Sequence, residues 1–524
     1  MKMAKAKRLT REAEEHRRGL IRLGLAAFFL MGIWLYVSAT GQNVPHAPLL
    51  VFAAVVGGYM ALNIGANDVA NNIGPAVGSQ AMTLTVAIII AAIFEGAGAI
   101  IAGGDVVSTI KGGIIDPSNL PDSQTFVWLM TAALLAGALW LNLATWMGAP
   151  VSTTHSIVGG VLGAGIAAGG FAIADWAVMA QIAASWVVSP VMGGVIAAGL
   201  LYFIKLAILH QSDRAQAATR IVPWIMGLMA WAFSTYIIVK GLKRLWESSF
   251  FEAASVGLAI AVVVVLLTWQ YLKRSRSATR NDRGSVNDLF TWPLIFGAAL
   301  LSFAHGANDV ANAVGPLAAV NDAITSGGIA TEAGIPFWIM LVGALGLALG
   351  LALYGPKLIK TVGSEITELD KTRAFCIALS AAITVIIASQ LGLPVSSTHT
   401  ALGAVFGVGF LREYLKVSYA SQLHSIIAQH EGPERARLQA FLDDFRQASV
   451  EEMDEMIKST KRKRNPEIVL KKKERKRLKS IYKEELVKRH QLFRIVAAWI
   501  ITVPASGFMA ALLFFTLRGM LGVS

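Results

Sequence analysis

Long apolar runs separated by short polar breaks fill most of this chain. Representative runs are "LIRLGLAAFFLMGIWLYVSAT" (20–40), "VGLAIAVVVVLLTWQYL" (256–272) and "LFRIVAAWIITVPASGFMAALLFF" (492–515). A hydrocarbon core about 30 Å thick needs roughly 20 apolar residues in a helix, so these runs predict transmembrane helices. Spans are expected at 20–40, 49–65, 82–104, 126–147, 174–205, 223–240, 250–272, 289–305, 336–354, 374–391 and 493–516. The runs 150–168 and 394–412 are counted as crossings too, although 150–168 also reads as a dip that turns back. The total is about 12–13 spans. The first run is too long for the apolar core of a cleavable signal and is read as a retained span.

Loop charge sets the expected orientation. The N-terminal "MKMAKAKRLTREAEEHRRG" is basic, as are 205–220 and 273–287, whereas 105–125 is net acidic. By the positive-inside bias the N-terminus is cytoplasmic and, with 13 crossings, the C-terminus is outside, in a multi-pass protein of the cell (inner) membrane.

The chain repeats itself. "GANDVANN" at 65 returns as "GANDVANA" at 306, and "GAPVSTTHSIVGGVLGAG" (148–165) returns as "GLPVSSTHTALGAVFGVG" (392–409), at offsets of 241 and 244. "ASWVVSPVMGG" (184–194) is echoed by "AAWIITVPASG" (497–507). Under the loop-charge orientation, the first motif-bearing span runs inward and its partner outward. The fold class expected is an all-α polytopic membrane protein of two inverted-topology repeats with broken or re-entrant helices, a common architecture of secondary transporters; a parallel duplication, the alternative, would need one span more or fewer between the halves. The boundaries expected are 1–48 for a cytoplasmic N-terminus and extra helix, 49–205 for the first repeat and 206–288 for connecting helices and loops. There follow 289–412 for the second repeat, 413–491 for a charged cytoplasmic insertion and 492–524 for the final helix of the second repeat.

Composition agrees: only 15% of residues are charged, against about a quarter in soluble domains, and the mean hydropathy is +0.57. Of the net charge of +13, most sits at 461–490, with 14 Lys/Arg against 4 Asp/Glu. In a polytopic protein that run reads as a cytoplasmic segment near anionic head groups, not as a nucleic-acid site. The lone Cys376 excludes an intrachain disulfide.

Within the apolar runs stand polar islands. An Asp in hydrocarbon costs about 3 kcal/mol on insertion scales unless it faces a cavity or a partner. Asp68 and Asp309 occupy matched places, with Asn67, Asn71, Asn308 and Asn312 around them, and Glu95 is a third intramembrane acid. Carboxylate and amide oxygens are hard ligands suited to Na⁺ or H⁺ coupling. Gly65, Gly74 and Pro75, with Gly306, Gly315 and Pro316, suggest a broken stretch. Interhelical hydrogen bonding is the plainer alternative, favoured for Asn72 by itself. The second half carries apolar residues at 337–350, where a match for Glu95 would stand.

"PVSTTHS" (150–156) and "PVSSTHT" (394–400) each set a proline before a hydroxyl run, a helix-start signal. A helix N-terminus with free amides is an anion site. Ser152, Thr153 and Thr154 with Ser396, Ser397 and Thr398 could surround a tetrahedral oxyanion, and capping of the helix is the alternative for any one hydroxyl. His155 and His399 either serve the anion or a proton, or bond across helices. A hydrolase is disfavoured, since no nucleophile elbow is present.

The doubled "GANDVAN" and "PVS[TS]TH" strings closely resemble the inorganic phosphate transporter (PiT) family of secondary carriers. The resemblance implies a symporter, not an enzyme, that takes up inorganic phosphate with Na⁺ or H⁺ by alternating access and needs no cofactor. It assigns Asn67, Asp68, Asn71, Asn308, Asp309 and Asn312 to the cations and the six hydroxyl residues to phosphate. Glu95, in "IFE", matches an acid of Na⁺-coupled members, whereas the place of a second such acid is Ala378. Partners expected are phosphate, Na⁺ or H⁺ and the bilayer, with a homodimer left open. Sulfate transport on the same scaffold and a phosphate-sensing or channel-like protein remain the alternatives.

Overall fold

The computed structural model describes residues 2–41, 46–147, 151–241, 248–275, 281–326, 334–365, 369–415 and 489–521, with 439, 441, 444 and 456 as single positions. Two compact units divide the chain: Met1–Val408 with Gln491–Ser524, and Gly409–His490. The charged insertion expected at 413–491 falls almost wholly outside the described residues.

The first unit is helical almost throughout. Its elements are α1 (Lys2–Thr40), α2 (Ala47–Gly78), α3 (Leu84–Ala102), α4 (Gly104–Ser108), α5 (Ser123–Met147), α6 (Thr153–Gly169) and α7 (Trp176–Ile204). Next come α8 (Arg214–Gly241), α9 (Phe250–Arg274), α10 (Arg283–Leu289), α11 (Thr291–Asp309), α12 (Ala311–Ser326) and α13 (Phe337–Glu365). α14 (Lys371–Gln390), α15 (Ser397–Leu415) and α16 (Arg489–Leu521) complete the order, the end of α15 from Gly409 and the first two residues of α16 belonging to the second unit. Side chains fix several starts: Asp175 accepts the N–H groups of Ala177 and Val178 at 3.0 Å, and Ser249 forms a capping box with Glu252. Asp122 accepts the Thr125 N–H at 2.6 Å at the head of α5, which holds its carboxyl below the usual carboxylate range.

Among the described residues, eleven helical segments are long and apolar enough to cross a membrane. The expected count of about 12–13 also includes 150–168 and 394–412, where α6 and α15 stand. α6 has 17 residues, about 25 Å of helix, short of a core about 30 Å thick. Its far end folds back: Asp116 N–H donates to Ile173 O at 2.7 Å and Asp175 N–H to Ile114 O at 3.0 Å. These bonds join the segment after α6 to the one before α5, so α5 and α6 form a hairpin with both outer ends at one end of the bundle.

Burial separates core from rim. The apolar windows of α2 and of the α11–α12 run are 78% and 89% buried, against 17% for α1 and α9. The helices that carry the polar islands are therefore central, and the two added in front of and between the repeats face outward.

Packing exchanges the halves. A Cβ on Gly65 of α2 would collide with the Leu347 carbonyl of α13, and one on Gly306 of α11 with the Glu95 carbonyl of α3. Likewise Gly163 of α6 lies on the Gly507 backbone of α16, and Gly403 of α15 on the Pro190 carbonyl of α7. In each case a helix of one sequence half packs backbone to backbone on a helix of the other, through the small residues that membrane interfaces favour. Gly403→Leu should lower the thermal unfolding midpoint of the detergent-solubilised protein, at a cost of about 1–3 kcal/mol or more for overpacking. Gly199→Leu, where an added Cβ meets nothing within 4 Å, should leave the midpoint in place; equal effects would remove the close-contact argument.

Candidate functional site

The two hydroxyl tips meet. Thr154 Oγ1 donates to Val395 O of the other tip at 3.0 Å, and Trp186 Nε1 donates to Pro394 O at 3.1 Å. α6 begins at Thr153 and α15 at Ser397, each three residues later than a proline at the first helical position requires. Ser152 and Ser396 are the caps instead: their Oγ atoms accept the N–H groups of His155 and His399 at 3.1 and 3.2 Å. Capping, the alternative for any single hydroxyl, thus takes the first of each trio and leaves Thr153, Thr154, Ser397 and Thr398 facing the centre.

Carboxylates of the Asp–Asn motifs face these hydroxyls. Asp68 accepts Thr153 Oγ1 at 2.8 Å and Thr398 Oγ1 at 3.3 Å, and Asp309 accepts Ser397 Oγ at 2.9 Å. The carboxamides cross over: Asn71 Nδ2 donates to Thr398 Oγ1 at 2.9 Å, while Asn312 Nδ2 reaches Thr153 Oγ1 and Thr154 Oγ1 at 3.1 and 3.2 Å. Asn67 donates to Thr145 Oγ1 and Asn308 to Ser389 Oγ, both at 2.9 Å. All of these motif side chains are buried. The motif helices are less broken than expected: α11 ends at Asp309 and α12 starts at Ala311, but Val310 between them keeps helical torsions and Val314 N–H still donates to its carbonyl at 2.9 Å. α2 runs unbroken through Pro75 to Gly78, since the residue four before a proline can lose one backbone bond without unwinding a helix packed on all sides.

Glu95 is tied to the same centre by a residue the sequence reading passed over. Its Oε1 accepts Asn72 Nδ2 at 3.0 Å and lies 3.1 Å from His305 Nδ1. His305 Nε2 lies 2.9 Å from Asp309 Oδ2 and 4.0 Å from Asp68 Oδ2, close enough for ion pairing though not aligned as a hydrogen bond. One atom from each of Asp68, His305 and Asp309 falls within 4.8 Å of the others. The signal was present in "AHGAND": His305 stands four residues before Asp309, hence on the same helix face.

Several buried oxygens here have no hydrogen-bond donor: Asn67 Oδ1, Asn72 Oδ1, Asn308 Oδ1, Asn312 Oδ1, Asp309 Oδ1 and Glu95 Oε2. A buried acceptor without a donor is costly and calls for a partner such as water, an ion or a ligand. Hard, acceptor-only oxygens call for a cation of the alkali type or a proton. His155 and His399 are placed differently. Their rings lie 4.5 Å apart, His155 edge-on to Trp186 at 3.8 Å and His399 stacked on Trp499 at 3.5 Å. They touch aromatic rings and one another, and neither hydrogen-bonds a motif carboxylate.

Residues 64–510 match the model of the phosphate transporter family. The chain belongs to the phosphate transporter family. A Helicobacter pylori strain J99 protein named "Putative phosphate permease" is 51% identical over 526 residues, covering 99% of both chains. A Pyrococcus abyssi protein of the same description is 40% identical over 365 residues, 70% of this chain and 89% of its own. The solved structure titled "The sodium-dependent phosphate transporter" superposes with a TM-score of 0.73 at 31% identity, covering 90% of this chain and all of that one.

For this phosphate transporter family member, the structure gathers the hydroxyl and Asp–Asn residues expected from the sequence around one centre. His305, Thr145 and Ser389 join them. The halves are not equivalent there: the 241-residue offset places Ile64 opposite His305. The glycine contacts place Leu347 opposite Glu95. An acid–imidazole pair on one side answers an aliphatic pair on the other.

Proposed function

We propose that the chain is a symporter that takes up inorganic phosphate with Na⁺, its two halves forming inverted repeats that rock about the central site. The observation that carries this reading is the set of donorless motif oxygens beside hydroxyl-bearing helix tips. The oxygens suit cations, and the hydroxyls of Thr153, Thr154, Ser397 and Thr398 suit phosphate. Asp68 and Asp309 would each repel a dianion about 4 Å away by about 8 kcal/mol at an effective dielectric near 20. Bound cations cancel that repulsion, so anion and cation enter together. Phosphate fits better than sulfate because HPO₄²⁻ can donate a hydrogen bond to a carboxylate and sulfate cannot. The reading includes a cytoplasmic N-terminus and an outer C-terminus in the cell membrane, in line with the loop charges.

Purified protein in liposomes tests it directly. An imposed Na⁺ gradient should drive labelled phosphate accumulation that a pH gradient by itself does not, and excess sulfate should compete weakly. Accumulation driven by pH without Na⁺ would reassign the coupling ion; equilibration without accumulation would favour a channel-like protein.

A further inference from the structure

We propose that the groove between α8 and α9 is a binding site for a single anionic phospholipid. The groove has a volume of about 750 Å³ and lies outside both sequence repeats. Its shape comes from small residues at the floor and large ones at the walls. A Cβ on Gly227 would collide with Val265, and Ala261 is buried, so the two helices touch along that line. Trp224, Leu228, Leu258 and Leu266 stand up on either side, each more than half exposed.

One end is shut. Trp231 Nε1 donates to Ala254 O at 2.9 Å, and a Cβ on Gly257 would collide with Thr235 Oγ1 on the next turn. The other end is basic: Arg220 lines it, and Lys273 Nζ sits 3.2 Å over the centre of the Trp269 ring, itself part of the wall. From Trp231 to Arg220 on α8, and from Leu258 to Trp269 on α9, the groove runs 11 residues, about 16 Å of helix. Half of a hydrocarbon core is about 15 Å. The trough is therefore one leaflet deep, with two cations and a tryptophan at head-group level.

That combination selects for charge. An apolar trough alone takes any acyl chain, but Arg220 offers a planar donor fork to a lipid phosphate and Lys273 adds a second charge. The Trp269 ring holds the Lys273 ammonium over the trough mouth by cation–π attraction. Each basic residue near a membrane surface favours anionic lipid on the order of five-fold.

The test is native mass spectrometry of the delipidated full chain with phosphatidylglycerol or phosphatidylcholine of identical acyl composition. The first phosphatidylglycerol should bind roughly twenty- to thirty-fold tighter than phosphatidylcholine, given two such charges. The double substitution Arg220→Gln with Lys273→Gln should bring the two lipids to near parity. Trp224→Ala should weaken both lipids alike. Equal binding of the two lipids to the unaltered protein would overturn the proposal. So would a preference that survives the double substitution, or one lost equally when the exposed Arg17 and Arg18 are neutralised instead.

Discussion

Asp68→Asn should cut Na⁺-driven phosphate uptake by about a hundred-fold or more, while the variant inserts and elutes as the parent does. The substitution keeps the side-chain shape and leaves an oxygen to accept from Thr153 or Thr398, the two hydroxyls the carboxylate now receives. What it removes is the charge. A cation about 4 Å from that carboxylate is held by about 4 kcal/mol at an effective dielectric near 20, and that much free energy is a factor of more than a hundred in affinity. Uptake measured at saturating and limiting Na⁺ separates lost cation affinity from lost turnover. Asp116→Asn, an exposed carboxylate that caps a loop turn through Ser118, is the control and should be silent. Unchanged uptake in Asp68→Asn would end the coupling role assigned to this residue.

The second large effect concerns the asymmetric pair. His305→Ile removes the one imidazole that stands between Glu95, Asp68 and Asp309. Three buried acids are then left facing one another, and breaking a buried charged group of this kind costs about 3–5 kcal/mol. Adding Glu95→Leu should recover part of that loss, because the double variant copies the pairing already present on the other side. There Ile64 and Leu347 lie wholly buried in one apolar cluster, and Gly65 meets Leu347 as Gly306 meets Glu95. The interaction term of the double-mutant cycle should favour the double variant by about 1–3 kcal/mol. Unfolding midpoints of the two single variants and the double, in one detergent, give the measurement. A double variant as unstable as the sum of its parts would show that the acid and the imidazole do not act as a pair.

Much of this molecule was legible from the letters alone. Apolar runs of about 20 residues place helices whatever else the chain does, because in hydrocarbon each backbone must satisfy its own polar groups. The 241- and 244-residue offsets paired Asp68 with Asp309 and the two hydroxyl tips with each other. The cost of an acid in lipid then marked those positions and Glu95 as a site. These signals are local: they depend on the period of one helix and on composition within a window.

What the tertiary structure decided is how those helices meet. No spacing announces that α2 packs on α13 and α11 on α3, or that α6 lies on α16 and α15 on α7, since backbone contact across the chain turns on a few glycines among 49. That exchange carries Glu95 to His305 across 210 residues of sequence and so completes the acid cluster with a histidine whose repeat partner is an isoleucine. It also sets the short α6 as one arm of a hairpin whose outer ends share one end of the bundle. Sequence fixes what each helix must bury; only the close fit of one helix surface on another fixes against whom.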